Sequence, residues 1–335
     1  MSDETPLLTI AIPTYGRPQE LRQCVRLLRQ QSTPNFRLLV VDNASPVAAE
    51  VALRDELVNF PAREVRLVRN RFNVGGDANI LKCFELCETE YLWILGDDDE
   101  PLPDAVETVL SRIGDHPETL FYNFAHEPDP RPKESISDNV DEFIGSIDSY
   151  ANILFISTSV FRVPNLTPYL GQGFRFAYSM APHLVLLFQA MQNRRGKCVL
   201  LTDRIVRWVP TQEGTTWSVV AQMLGLGILL DLPLSRTSRK RLGQLVLGPR
   251  PLERVTAQLL GLSATRARSE SAGHHLDQVY GRLLRYSGSW TMWIRYMVYR
   301  YCLLPFPTAT FTVLRQIVAR TGRGGYLVQF HDPFE

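Results

Sequence analysis

The strongest constraint on the fold is a repeated alternation of short apolar runs and helical segments within residues 7–125. Five runs rich in aliphatic and β-branched residues have the length of strands, and segments with helical spacing or turns separate them. The predicted strands are residues 7–12, 37–41, 64–68, 91–95 and 119–124. Continuous apolar strands joined by helices are typical of parallel sheets covered on both faces, so the sequence predicts an α/β fold with a mostly parallel, Rossmann-like sheet.

Polar clusters follow three of these predicted strands. Residues 14–17 follow the first strand, residues 42–45 the second, and residues 97–99 the fourth. Ligands of such sheets bind beyond the carboxyl ends of the strands. We therefore expect the three clusters to meet around one crevice.

The cluster at residues 97–99 consists of three consecutive aspartates. Like charges this close repel one another unless a cation neutralises them, and carboxylate oxygens suit Mg²⁺ or Mn²⁺. Such an ion typically bridges a protein to a substrate diphosphate. The alternative is a solvated acidic loop that caps the following helix.

The residues of the other two polar clusters allow two interpretations each. Asp42 can accept hydrogen bonds from a base edge or a ribose hydroxyl, or it can cap the next helix, as Asn43 or Ser45 also can. Thr14 and Tyr15 can contact a base or serve ordinary turn chemistry.

A glycine pair precedes a predicted helix. Gly75 and Gly76 permit close approach of a ligand, and the following helix start favours an anion. The segment is neither GxGxxG nor a P-loop. Arg69 and Arg71 nearby either contact phosphate or are simply solvated.

Four blocks, residues 10–17, 40–45, 73–76 and 93–99, resemble glycosyltransferase family 2 in order and spacing. The resemblance covers roughly residues 7–210 and is greatest to an abequosyltransferase-like subgroup. It implies a GT-A fold that moves a sugar from a nucleoside diphosphate donor to a hydroxyl of a glycan acceptor. The expected setting is bacterial surface polysaccharide synthesis, such as O-antigen or capsule, with inversion at the anomeric carbon.

Together with the motifs, the resemblance assigns a donor-binding set and a metal site. The expected donor-binding residues are Pro13, Thr14, Tyr15, Arg17, Asp42, Asn43, Asn73, Gly75, Asn79, Asp97 and Asp98. The expected ligands of Mg²⁺ or Mn²⁺ are Asp97 and Asp99, with Asp98 as the alternative. The family often has Asp-x-Asp-Asp at this position, whereas this chain has Gly96 at the first place.

The usual catalytic base is missing. In the family a Glu-Asp pair begins a helix some eighty residues after the metal motif, but residues 178–184 contain no carboxylate. His183 stands near the expected place, and a histidine can take a proton from a hydroxyl at neutral pH. The alternatives are a structural role for His183 and a base among Glu127, Asp129 and Asp148.

A change of character near residue 212 predicts a second region. We expect a GT-A domain over residues 1–212 and a helical, basic, aromatic-rich region over residues 213–335. Trp290, Trp293, Met297 and Tyr301 fall on one helical stripe that can lie in a membrane interface and receive a lipid-linked acceptor. The alternative is a helix that packs back on the catalytic domain. No nucleic-acid motif is recognisable.

The remaining sequence features indicate the cellular location of the protein and its possible functional classes. The N-terminus lacks the pattern of a signal peptide, and the five cysteines form no CxxC. We therefore expect a cytoplasmic protein, with peripheral contact to the inner membrane face as an option. The rival functions are a nucleotidyltransferase that makes nucleotide-sugars and a non-catalytic nucleotide- or glycan-binding protein.

Overall fold

The structure, a computed structural model, describes residues 6–127, 130–193, 196–207, 225, 227–247 and 290–303. The chain packs as two compact units, Met1–Glu213 and Gly214–Glu335. The candidate site lies in the first unit.

The first unit is built on β-strands that follow the predicted apolar runs closely. The described strands are β1 (Leu8–Thr14), β2 (Arg37–Asp42), β3 (Glu64–Arg69), β4 (Tyr91–Ile94), β5 (Glu100–Pro101), β6 (Phe121–Asn123), β7 (Ser135–Ser137), β8 (Ser159–Arg162), β9 (Cys198–Leu200) and β10 (Val206–Arg207). Eight of them form one sheet in the order β3-β2-β1-β4-β8-β6-β9-β7, and β5 pairs with β10.

The sheet has a parallel half and a mixed half. Strands β3, β2, β1 and β4 are all parallel, whereas β8 runs antiparallel to both of its neighbours, β4 and β6. β9 is parallel to β6, and β7 closes the edge antiparallel to β9. The prediction of a mostly parallel sheet is confirmed, and its parallel half carries the three polar strand ends.

Helices connect these strands. In the first unit they are α1 (Pro18–Arg29), α2 (Ala49–Ala52), α3 (Gly76–Leu86), α4 (Ala105–Asp115), α5 (Val140–Ser146), α6 (Tyr150–Leu154), α7 (Val163–Leu166), α8 (Leu170–Arg175) and α9 (Pro182–Gln192), with 3₁₀ turns at Ile156–Thr158 and Thr167–Tyr169. Helix α1 is amphipathic and buries Leu21, Cys24, Val25 and Leu28 against the sheet. Helix α9 buries nearly every residue from Pro182 to Met191, as a central helix must.

Residues 128–149 are rich in proline and acidic residues, a composition that predicts a loop or lid, but the described part of this segment, residues 130–149, contains regular secondary structure. It contains β7 and α5, and Asn139 caps α5 by accepting a hydrogen bond from the Glu142 amide at 2.9 Å. The buried Arg131 guanidinium fastens the segment by donating to the carbonyl oxygens of Asn123 (2.7 Å) and Leu201 (2.6 Å). Prolines and acidic residues hid a short edge strand and a short helix from the sequence pattern.

The second unit is described only in part. It contains a 3₁₀ turn at Ile228–Asp231, a helix at Arg236–Leu247, and a helix at Trp290–Val298 that continues into a π-helical turn at Tyr299–Leu303. Within the predicted helical region, the sequence pattern also predicts helices at residues 252–260 and 275–286, which lie outside the described residues. Across the part of the chain that is described, no helix combines the length and apolarity needed to span a bilayer.

Helices α3, α8 and α9 pack closely around Gly173. A Cβ atom at Gly173 would lie 2.7 Å from Leu81 of α3 and 2.9 Å from Leu186 of α9, whereas Gly171 in the same helix has open space. We expect Gly173→Val to lower the free energy of unfolding by about 1–3 kcal/mol through overpacking. Gly171→Val is the matched control, and urea unfolding followed by circular dichroism is the measurement. Equal losses in the two variants would contradict this account of the packing.

Candidate active site at the carboxyl ends of the parallel strands

The three polar strand ends meet. The Thr14 hydroxyl at the end of β1 donates a 2.6 Å hydrogen bond to Oδ2 of Asp97, which follows β4. The backbone amide of Asn43, directly after β2, donates to the Thr14 carbonyl oxygen at 2.9 Å. The structure therefore brings Thr14, Asp42, Asn43 and the aspartate run together at one rim of the sheet.

Arg17 binds the first two aspartates of the run. Its Nη1 lies 3.2 Å from Oδ1 of Asp97 and 2.6 Å from Oδ2 of Asp98. Burial raises the pKa of Asp97 to about 6, although the Thr14 hydroxyl and the Arg17 charge both lower it. One cationic group thus sits between two carboxylates at the mouth of the crevice.

The third aspartate faces another way. The Ser157 hydroxyl, from the turn before β8, donates to Oδ2 of Asp99 at 2.5 Å and accepts from the Gly96 amide at 2.8 Å. Burial, with the nearby charges of Asp98 and Asp97, raises the pKa of Asp99 to about 7. Asp99 is thereby folded back onto its own loop.

The position of Asp99 explains the glycine that departs from the family pattern. A Cβ atom at Gly96 would lie 2.5 Å from Oδ2 of Asp99 and 3.3 Å from Oδ1 of Asp98. Any side chain at position 96 would therefore displace the Asp99 carboxylate from Ser157.

Asp42 is buried and fully engaged. Its carboxylate accepts hydrogen bonds from the amides of Ser45 (2.8 Å) and Ala49 (3.1 Å) and from Nη1 of Arg69 (2.7 Å). Arg69 also donates to the Ser45 carbonyl oxygen at 2.8 Å, so it is held within the rim. Asp42 shapes the loop after β2, and a contact with ribose stays a prediction.

A network of amide side chains fixes the glycine loop to the end of β2. Asn43 Nδ2 donates to Asn73 Oδ1 at 2.8 Å, and Asn43 Oδ1 accepts from the Val74 amide at 2.9 Å. Asn70 donates to Asn43 and Asn79, and Asn79 donates to the Val41 carbonyl oxygen. Asn70 is a member that the sequence reading missed, although it too follows a strand end.

Several residues of the rim are exposed to solvent. Tyr15 is 49% exposed, and Gly16 beside it has φ +72°, a left-handed conformation that favours glycine. Gly75 also has positive φ, at +88°, directly before α3. Pro13 is half-buried just before Thr14. Tyr15 is thus available to stack on a planar ligand.

His183 lies inside the protein rather than on the crevice. It is 1% exposed, its Nε2 donates to the Ile153 carbonyl oxygen at 3.2 Å, and its ring packs edge-on against Phe161. Burial lowers its pKa to about 4. A base must be reached by the acceptor hydroxyl, so this placement favours the packing role, and catalysis by His183 stays a prediction without geometric support.

The structure also describes two of the three alternative bases, Glu127 and Asp148. Asp148 pairs with the buried Arg131 at 3.2 Å, and Glu127 pairs with Arg204 at 3.5 Å. Asp129 lies outside the described residues. A carboxylate that the sequence reading gave no role, Asp77 of α3, accepts a 2.7 Å hydrogen bond from the Met180 amide.

The donor set fits a divalent ion that a substrate completes. Mg²⁺ is commonly held by one or two carboxylates together with substrate phosphates. Within the described ranges, no three His, Cys, Asp or Glu side chains converge as a preformed cage. Asp97 and Asp98 already share one cationic partner, whereas Asp99 is turned towards Ser157. The geometry therefore favours Asp98 over the predicted Asp99 as the second ligand.

Part of the chain matches a known protein family. Residues 9–168 match the model of glycosyl transferase family 2. These residues form a glycosyltransferase family 2 domain. The match includes all four blocks and every rim residue described above, and it ends before α9.

Curated relatives of this family 2 domain match it over a limited length. Abequosyltransferase RfbV of Salmonella typhimurium is 31% identical over 104 residues, which cover 30% of each chain. The colanic acid biosynthesis glycosyl transferase WcaA of Escherichia coli, a putative assignment in its own name, is 26% identical over 106 residues, 32% of this chain and 37% of that one. The chain thus spans about a third of the length of the curated relatives it matches.

Solved structures extend the likeness over most of the chain. Residues 1–349 of TarS from S. aureus, in complex with UDP-GlcNAc, superpose with a TM-score of 0.61 at 13% identity, covering 95% of this chain and 92% of that one. The mannosyltransferase PcManGT from Pyrobaculum calidifontis, in complex with GDP-Man and Mn²⁺, gives 0.54 at 12% identity, covering 97% and 86%. At these identities the likeness concerns the fold, and the predicted GT-A fold of the family 2 domain is confirmed.

The buried His183 generates a pH prediction. Its folded-state pKa of about 4 lies below its ordinary value of 6.5, so the unfolded chain binds the proton more readily between these values. This contribution to stability is complete above pH 6.5 and is lost as the pH falls towards 4. His183→Gln, which retains a donor for the Ile153 carbonyl, removes the titration. We expect the stability deficit of this variant at pH 7.5 to shrink by about 1–2 kcal/mol at pH 5.

Chemical unfolding at the two pH values measures this difference. His116→Gln is the control for loss of an imidazole, since His116 is a half-buried residue that ends α4. A deficit of His183→Gln that stays constant between pH 7.5 and pH 5 would show that the imidazole is not buried in its neutral form.

Proposed function

We propose that this chain transfers a sugar from a nucleoside diphosphate-sugar to a hydroxyl of a glycan during assembly of a bacterial surface polysaccharide. The observation that carries the proposal is the cluster of Thr14, Arg17, Asp97 and Asp98 at the rim of a family 2 domain. The names of the relatives RfbV and WcaA support a sugar-transfer role in polysaccharide synthesis.

The rim residues divide between the two ends of the donor. Tyr15 offers an exposed ring for the base, and the loop held by Asp42 and Asn43 offers polar groups for the ribose. Asn73, Gly75 and Asn79 shape the loop before α3, whose N-terminus favours an anion. TarS in complex with UDP-GlcNAc and PcManGT in complex with GDP-Man have the same fold, which supports binding of a nucleotide-sugar by this chain.

The diphosphate belongs beside the carboxylate pair. Asp97 and Asp98 would hold Mg²⁺ or Mn²⁺, which supplies positive charge for the leaving diphosphate. The Arg17 guanidinium lies within reach of the same place and is a strong partner for phosphate oxygens. Binding of an anionic diphosphate would give Arg17 a partner besides Asp97 and Asp98, and would weaken its ion pairs with both aspartates. Attack of the acceptor hydroxyl on the opposite side of the anomeric carbon would invert its configuration.

We expect the acceptor to be a glycan, and more specifically a lipid-linked glycan. We also propose that the chain contacts the membrane peripherally. Trp293, Ile294, Val298 and Tyr301 on the helix at Trp290–Val298 and the turn after it are exposed large apolar residues. Aromatic and aliphatic side chains beside arginine suit a bilayer interface on the cytoplasmic side. Binding of the whole chain to vesicles containing anionic lipid tests this part independently of catalysis.

Donor binding is the direct test of the function. We expect one of the UDP-, GDP-, CDP- or dTDP-sugars with Mn²⁺ to raise the melting temperature by about 3–8 °C at saturating concentration, because the ligand binds only the native state. Release of the matching nucleoside diphosphate distinguishes an enzyme from a binding protein. If none of the four classes shifts the transition with or without Mn²⁺, the proposal is wrong.

A matched set of aspartate variants tests the metal ligands. We expect Asp97→Asn and Asp98→Asn to abolish the Mn²⁺-dependent part of the donor shift, weakening donor binding at least about tenfold, a loss of about 1.4 kcal/mol. Asp99→Asn serves as the neighbouring control and should retain most of this shift, because its carboxylate faces Ser157. Loss of Mn²⁺ dependence in Asp99→Asn, with retention in Asp98→Asn, would return the assignment to the pair predicted from sequence.

A further inference from the structure

A carboxylate stands at the beginning of α9, although the sequence there supplies none. Oδ2 of Asp77, the second residue of α3, accepts the Met180 amide at 2.7 Å, two residues before α9 begins at Pro182. Residues 178–184 contain no Asp or Glu of their own. The missing acidic group is therefore provided from another helix, about a hundred residues earlier in the chain.

The fold holds this carboxylate between the donor rim and α9. Asn43 Nδ2 lies 3.3 Å from the Gly75 carbonyl oxygen, which ties the segment before Asp77 to the end of β2. On the other side, α3 and α9 pack closely around Gly173 of α8. The position of Asp77 is thus set by both the donor loop and the helix start at which the family places its base.

The backbone at the contact is unusual. Met180 has φ +60°, a left-handed conformation that a non-glycine residue seldom adopts. Such residues cluster at functional sites, where neighbouring contacts hold them in place. Here the bond from the Met180 amide to Asp77 holds the turn that leads into α9.

Asp77 is also chemically available. It is half-buried, next to the exposed Gly75, Gly76 and Tyr178. Its hydrogen bond engages Oδ2, and Oδ1 has no hydrogen-bond partner among the described residues. Burial raises the pKa of Asp77 to about 6, so the group is ionised at neutral pH yet more basic than an ordinary aspartate.

The other candidate bases among the described residues are less suited. His183 is buried and bonded to a backbone carbonyl, Asp148 is paired with Arg131, and Glu127 is paired with Arg204. Each of these groups either lies away from solvent or carries an opposite charge beside it.

We propose that Asp77 is the general base of the sugar transfer, an inference that rests on the proposed function. The Asp77 carboxylate takes the proton of the acceptor hydroxyl while the hydroxyl oxygen forms a bond to the anomeric carbon of the donor. The bond from that carbon to the diphosphate oxygen breaks, and its electron pair leaves with the nucleoside diphosphate. Met180 and its turn orient the carboxylate through Oδ2, which leaves Oδ1 for the acceptor.

Two substitutions separate a base from a structural contact. Asp77→Asn keeps an oxygen that can accept the Met180 amide but cannot take a proton, whereas Asp77→Ala loses both functions. The assay follows nucleoside diphosphate release from UDP-, GDP-, CDP- and dTDP-sugars with Mn²⁺ and water as the acceptor. We expect both variants to lower kcat by at least about 100-fold, as loss of a general base does, with donor affinity within about threefold of the wild type. Glu127→Gln, which removes a rival base, should keep wild-type turnover.

The pH profile provides a readout that a structural role would not affect. With Mn²⁺ and donor held at saturating concentration at every pH, so that Asp97 stays ionised on the metal, the kcat of the wild type should fall tenfold per pH unit below about pH 6, and the residual rate of Asp77→Asn should lack this acidic limb. Asp77→Asn with turnover within about threefold of the wild type, and only Asp77→Ala impaired, would overturn the proposal and leave Asp77 a structural residue. A wild-type chain that binds none of the four donors, or binds one without releasing its nucleoside diphosphate, would overturn the proposed function and with it the assignment of Asp77.

Discussion

The hydrogen bond from the Thr14 hydroxyl to Asp97 is the contact on which the rim depends. It joins the ends of β1 and β4, and it gives a buried carboxylate one of the partners it needs. The Arg17 guanidinium is the other partner of Asp97, and it also forms an ion pair with Asp98. Because Asp97 and Asp98 have these partners, the loop after β4 can hold their negative charge at the mouth of the crevice, while the side chain of Asp99 turns inward. The site is thus a balance between the cost of burying carboxylates and the charge that a diphosphate-bound ion requires.

Much of this arrangement follows from the sequence because parallel strands present their carboxyl ends at one edge. The apolar runs and the polar residues after them were sufficient to predict that Thr14, Asp42 and Asp97 lie together. The individual partners were not predictable in the same way. Ser157, which holds Asp99, lies 58 positions away along the chain, and nothing in the local pattern marks it as a neighbour. Likewise, periodicity places Asn43 at a strand end but does not say that its amide is used to anchor the glycine loop.

The position of a motif along the chain does not determine which carboxylate reaches the start of α9. The sequence lacks a carboxylate before α9, and the nearest titratable group, His183, was the natural candidate. A helical position of that kind specifies a distance along the chain, not the direction in which a side chain points, and His183 points into the core. Asp77 belongs to a different helix and meets the start of α9 only because α3 and α9 pack side by side. The strand β7 within residues 128–149 was not predictable for a related reason, because it is a short edge strand whose pairing with β9 depends on tertiary contact.

The antiparallel strand β8 has a consequence for the order in which this domain can assemble. Val160 pairs with Trp93 of β4 on one side and with Tyr122 of β6 on the other, so β8 alone joins the two halves of the sheet. The parallel half, made of strands within residues 8–94, can form while the chain is still being synthesised. Until residues 159–162 emerge, β4 remains an open and entirely apolar edge, the kind of surface that recruits another chain. The interval between β4 and β8 is therefore the vulnerable stage of folding, and protection of that edge by a chaperone would matter most there.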